Sequence, residues 1–194
     1  MATSTSYASG DLSGYGINNQ VKISVTNDQT GETTLLNPIE TKDLIEVNSI
    51  KSDKESIEVG YDVFIPLEKL YSSDIIPFID AGGSKNQGGV TARLNANYDV
   101  RGNDIRVNRV WGSWSPNSSI YYLSNRNVYA HAGSFMGNNL SRSPDSNTFS
   151  YITGWDWNPR LSGDGAARAW SDAKVHVSGM EGSTYTIEVD FSFE

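Results

Sequence analysis

Apolar and polar residues alternate with period two along most of the patterned part of this chain. Residues 20–26 set Val21, Ile23 and Val25 against polar neighbours, which predicts a half-buried strand. Residues 27–32 are turn formers, and residues 33–36 read as the returning strand. Residues 56–65 set Ile57, Val59, Tyr61, Val63 and Ile65 against Glu58, Gly60, Asp62 and Phe64. Pro66 should end that strand, because it lacks a ladder donor. One helical turn is expected at residues 67–71. The Gly-rich stretch 81–89 reads as a flexible loop and as the place where a single domain spanning 1–194 would subdivide.

The longest regular segment follows. Val90, Ala92, Leu94, Ala96, Tyr98 and Val100 share one face, and Thr91, Arg93, Asn95, Asn97 and Asp99 share the other. Residues 101–104 carry Gly and Asn, which suits a tight hairpin turn. Ile105 and Val107 start the partner strand in phase, and the break at residues 109–111 predicts a bulge. A second hairpin is expected from 119–123 and 128–132 around residues 124–127. A third joins 170–177 to 185–193 through the turn 179–182. Ala166, Ala167 and Ala169 allow a short helix before it. These elements predict an all-β protein, an antiparallel β-sandwich with at most one or two short helical turns. A flattened barrel is the alternative closure.

Composition narrows the class. The chain has 194 residues, of which 37% are hydrophobic and 20% charged, enough to bury a core. No apolar run approaches the ~18–20 residues that a spanning helix needs. Cysteine is absent, which removes disulfides and thiolate chemistry. The first residues show no basic region followed by an apolar one, which leaves an intracellular chain or a mature secreted chain with an added Met1; low Lys with abundant Ser, Thr, Asn and Gly and many aromatics makes the second the expectation. Charge is uneven: residues 1–80 hold thirteen acids against five lysines, whereas the remainder holds ten acids, ten bases and all eight arginines. The net charge of −8 argues against a nucleic-acid partner, whose phosphates demand basic surface.

Signals of chemistry are sparse. The two histidines, His131 and His176, both fall in expected strands, and no nucleophile elbow occurs. A Ser-His-Asp constellation assembles in space, so sequence neither supports nor excludes one. Neither histidine has zinc-ligand spacing, and the oxygen pairs Asp145/Asn147 and Asp156/Asn158 do not continue into a calcium loop. No catalytic residue, metal ligand or cofactor is assigned.

What does stand out is the concentration of rings. All five tryptophans, with Tyr121, Tyr122, Tyr129 and Tyr151, lie within residues 111–170, several among turn formers. Loop aromatics offer large rigid contact area at little entropic cost. The candidate ligand site is Trp111, Trp114, Tyr121, Trp155, Asp156, Trp157 and Asn158. The competing reading makes the rings a core plug at one end of the sandwich. Trp155 and Trp157, two apart, would project to one side if extended, and Trp111 and Trp114, three apart, cannot share a strand face without a bend or bulge, so one member of each Trp pair is expected in the core.

The function expected from these features is an extracellular module that binds a glycan or cell-surface polymer without chemistry. The alternatives are an assembly subunit of a surface or virion structure, and a polysaccharide-acting hydrolase. The last requires convergent Asp or Glu side chains with perturbed pKa values.

Overall fold

The computed structural model describes residues 19–35, 45–52, 56–67, 88–133 and 137–193, and these form two antiparallel sheets packed face to face. In chain order the strands are β1 (Asn19–Asn27), β2 (Thr33–Leu35), β3 (Ile45–Ser52), β4 (Ser56–Pro66), β5 (Gly89–Arg101) and β6 (Asp104–Pro116). They continue as β7 (Tyr121–His131), β8 (Asn139–Arg142), β9 (Thr148–Ile152), β10 (Asn158–Pro159), β11 (Ala167–Val177) and β12 (Thr184–Phe193). Sheet A runs β2-β1-β12-β11-β7-β8; sheet B runs β10-β6-β5-β4-β3, with β9 also paired to β6. This is the expected sandwich, with a single 3-10 turn, Gly163–Gly165, among the described residues. No helix there is long and apolar enough to cross a membrane.

The period-two faces close on one core. Val59, Tyr61, Val63 and Ile65 of β4 and Val90, Leu94, Ala96 and Tyr98 of β5 meet Ile187, Val189, Phe191 and Phe193 of β12. Rings join the layers: Tyr61 meets Phe191 edge-on at 5.4 Å between centroids, and Tyr98 packs on Phe193 at 4.7 Å. Trp114, 2% exposed, donates its indole N–H to Ser171 Oγ across the layers at 3.0 Å. Ser171 in turn donates to the carbonyl of Asn127 at 2.9 Å, so both buried polar groups are satisfied.

The β5–β6 hairpin forms as expected, with Gly102 at φ 58 in its two-residue loop. Its bulge falls at Asn108, where Asn97 pairs with Arg109 but Tyr98 pairs with Val107. The extra residue shifts the phase, so Val107 and Val110 both reach the core while Arg109 and Trp111 turn outward.

Two expectations need correction. Residues 119–132 do not make a hairpin: β7 is one strand, paired along its length with β11. The turn-forming residues 124–127 are absorbed as a bulge instead, for Asp172 pairs with Asn127 and Lys174 with Ser124, leaving one residue too many on β7. Asn125 takes the left-handed conformation at φ 46, and the Arg126 guanidinium caps the Leu123 carbonyl at 2.6 Å. The backbone is therefore satisfied without reversing direction. Nor do Ala166, Ala167 and Ala169 form a helix. Ala167 opens β11 and all three are buried, and the backbone of residues 165–167 passes so close to Gly133 that a side chain on that glycine would collide with it. The helical turn expected over 67–71 and most of the loop 81–89 lie outside the described residues.

Candidate ligand-binding face

The residues singled out in the sequence do not gather into one exposed site. Trp114 and Tyr121 are core residues, 2% and 5% exposed. Trp155 is half-buried against the core edge, and Asp156 beside it is exposed. Trp157 lies beneath two guanidinium groups, Arg101 at 4.4 Å and Arg106 at 4.8 Å from its ring centre. Arg109 covers Trp111 at 4.9 Å. Asn158 belongs to β10, and its amide donates to the Asp156 carbonyl at 2.7 Å. The exposed-side Trp111 and Trp157 are thus partly occupied by cation–π partners, which use the ring faces a ligand would stack on. The arginines responsible are themselves held: Arg106 pairs with Asp99 at 2.5 Å, Arg101 with Asp104 at 3.6 Å, and Arg109 donates to the Ser150 hydroxyl at 2.8 Å.

The outer face of sheet A has a different character. Antiparallel register sets Lys22, Asp190, Trp170, Tyr129 and Ser141 side by side across β1, β12, β11, β7 and β8. The next row carries Ser24, Glu188, Asp172 and Asn127, and the row on the other side carries Ser192, Arg168, His131 and Asn139. Tyr129 and Trp170 stack at 5.1 Å with their planes 17° apart, and His131 meets Trp170 edge-on at 5.8 Å. On the β8 side the register partner of Tyr129 is Ser141, a side chain too small to cover a phenol ring. Beside His131 opens a cleft of about 350 Å³, lined by His131, Gly133, Asn139, Leu161 and Asp164 among others. That volume is at the lower end of the range for small-ligand sites.

Electrostatics on this face are set by crowding of acids in partial burial. Burial raises the Asp190 pKa to about 6 against the pull of Arg168, whose guanidinium lies 3.0 Å from Oδ2; Glu188 adds to the rise and Lys22 opposes it. The other oxygen, Oδ1, is buried without a hydrogen-bond partner among the described residues. Burial and the neighbouring Asp172 raise Glu188, and burial raises Asp172 despite a 2.9 Å bond from the Asn127 amide. Tyr129 is raised by burial and by both those carboxylates, so its hydroxyl stays protonated. His131 is lowered by burial and by Arg168, and its Nδ1 accepts the Gly133 amide proton at 3.2 Å, which places the ring proton on Nε2.

No protein-family model, curated protein or solved structure matches the chain. The face is therefore read from its own chemistry. It offers two parallel rings, three carboxylates, the amide of Asn139, and an imidazole N–H beside a cleft. Stacking on a ring, hydrogen bonding to hydroxyls and repulsion of anions are all within its means. The described residues hold no group of three or more acidic or imidazole side chains arranged to grip a metal ion.

The sequence contained every one of these residues, and two of its strands carried them at strict alternate positions: Trp170, Asp172, Lys174, His176 and Thr186, Glu188, Asp190, Ser192. Read strand by strand, each looks like an ordinary solvated face. Only the pairing of β12 with β11 and β11 with β7 brings the acids against the rings. The one available signal was the presence of aromatics at the polar positions of β7 and β11.

Proposed function

We propose that this chain is a carbohydrate-recognition module, and that it takes its ligand on the outer face of sheet A rather than at the tryptophan-rich turns. The observation that carries the reading is the stacked pair Tyr129–Trp170, standing beside a cleft and edged by hydrogen-bonding side chains. A sugar ring presents an apolar C–H face and a rim of hydroxyls. The first packs on an aromatic plane, and the second bonds to carboxylates, amides and imidazole. Asp172, Glu188 and Asp190 make the face repel uronates and sulfates, so the ligand class is neutral glycans or amino sugars. An extracellular setting, where such polymers are met, belongs to the same proposal.

The test is pull-down and calorimetry of the purified protein against neutral polysaccharides, including cellulose, chitin and mixed β-glucans. Trp170→Ala and Tyr129→Ala should each weaken binding at least ~10-fold, while Trp157→Ala leaves it unchanged. No binding by the wild type, or loss confined to Trp157→Ala, overturns the assignment to sheet A. Release of reducing ends by the wild type, abolished in Glu188→Gln, would replace recognition by hydrolysis on the same face.

A further inference from the structure

A nucleophile and a base meet at the far end of the same face. Ser124 Oγ lies 2.7 Å from His176 Nε2, although 52 positions separate them in the chain. The contact depends on the β7 bulge: Asn125 at φ 46 inserts one residue after Ser124, and register then sets Lys174 opposite Ser124 and His176 opposite Tyr122. The imidazole is held in its plane by Tyr122, stacked at 4.6 Å with only 8° between the rings. For Ser124 to donate its hydroxyl proton, the ring must carry its own proton on Nδ1, the tautomer in which Nε2 is a free base. Burial and Lys174 hold His176 below the ordinary histidine pKa against the pull of Asp28, so this base is unprotonated at neutral pH. Both side chains are part-buried, which leaves the pair open to a small reactant.

The surroundings fix charge as well as position. Asp28, from the β1–β2 turn, accepts hydrogen bonds from Thr184 and Thr186 of β12 at 2.6 and 2.7 Å and pairs with Lys174 at 3.1 Å. Lys174, whose backbone pairs with Ser124 across the ladder, is thereby held by Asp28 on the β12 side.

We infer that Ser124 and His176 form a nucleophile–base pair that cleaves small activated esters. In the first step Ser124 Oγ bonds to the acyl carbon while its proton passes to His176 Nε2. The ester C–O bond breaks, and the leaving oxygen takes that proton. Water then attacks the acyl-enzyme, giving a proton to Nε2, and the carboxylic acid departs as Oγ regains its hydrogen. Nothing in this sequence draws on glycan binding.

The experiment treats the purified full chain with a fluorophosphonate, maps the adduct by peptide mass spectrometry, and follows hydrolysis of p-nitrophenyl acetate. The expected result is an adduct on Ser124 of the wild type. Turnover should fall about 100-fold in Ser124→Ala and in His176→Gln, both checked by circular dichroism. A hydrogen bond with only a structural role would leave Ser124 unlabelled. Absence of the adduct, or its appearance only on other residues, overturns the inference. Wild-type labelling decides the matter even if a variant does not fold. The probes need no polymer, so failure here leaves the carbohydrate reading standing, and the converse also holds.

Discussion

Gly112 sits in β6 with β5 on one side and β9 on the other, and the space at its α-carbon is already filled. A methyl group there would stand 2.0 Å from the Arg93 carbonyl oxygen and 2.8 Å from the Phe149 ring. The ring cannot retreat freely, because Phe149 is itself buried and stacked with Tyr151. Gly112→Ala is therefore expected to destabilise by about 1–3 kcal/mol through overpacking. A thermal melt would show this as a loss of several degrees. By contrast, nothing lies within 4 Å of the corresponding point at Gly102, whose role is its positive φ. Two glycines of one hairpin thus serve different physical needs, and the alternating pattern around them distinguishes neither.

At the scale of the element, β12 carries a carboxylate where burial favours a neutral group. Asp190 has only 9% of its side chain exposed, and its pKa is raised to about 6 in the folded chain, against about 3.9 for an unfolded aspartate. The native state therefore binds this proton more tightly. The resulting stabilisation is complete below about pH 4 and is lost as pH rises towards about 6, a change of about 3 kcal/mol at most. Asp172 and Glu188 are raised and act in the same direction. Asp28, lowered by its hydrogen bonds in spite of burial, acts in the opposite sense as the solution is acidified below about pH 4. Asp190→Asn should flatten the fall in Tm between pH 4 and 6 and raise Tm at pH 7.5; melts across that range check both. An unchanged slope would remove Asp190 as its source.

The elements also show where sequence patterns stop being informative. Strands β1, β4, β5, β6, β11 and β12 were legible because each has a buried and a wet side, and alternation follows directly from the pleat, whereas β2, exposed throughout, was legible only from the turn formers before it. Strands β8, β9 and β10 were not. They have four, five and two residues, too few for a period to emerge, and β10 includes a proline. β3 carries Asn48, Ser49 and Lys51 between its apolar residues, and its register slips between Val47 and Ser49. In β7, Asn125 occupies a turn-like conformation inside a continuous ladder, so residues typical of a reversal mark a bulge. The aromatic region was visible as composition. Burial of Trp114 between the layers, and cover of Trp157 by arginines from β5 and β6, required the packed structure.

On the scale of the whole molecule, sheet A is closed by the last strand. β12 lies between β1 and β11, pairing Asn19 with Phe193 at one end and Thr184 with His176 on its other edge. Ile187, Val189, Phe191 and Phe193 are fully buried, so β12 supplies core to both layers as well as ladder to two neighbours. Removing residues 184–194 should abolish near-ultraviolet circular dichroism and cooperative melting. Loss of only local signal would show the remaining strands to be a self-sufficient unit. The same strand carries Glu188 and Asp190, so the face and the fold have a common dependence on it.

What the amino-acid order determined alone was the class: period-two faces bury their apolar side in a sandwich or a flattened barrel, and no cysteine or long apolar run points elsewhere. What the tertiary structure decided was neighbourhood. Tyr129 against Trp170, Ser124 against His176 and Asp172 against Glu188 are set by which strands pair, and in what register. A one-residue bulge in β7 is enough to choose the partner of Ser124. Chemistry depends on distance between side chains, and in a sheet that distance is fixed by pairing across the ladder, which local alternation leaves undetermined.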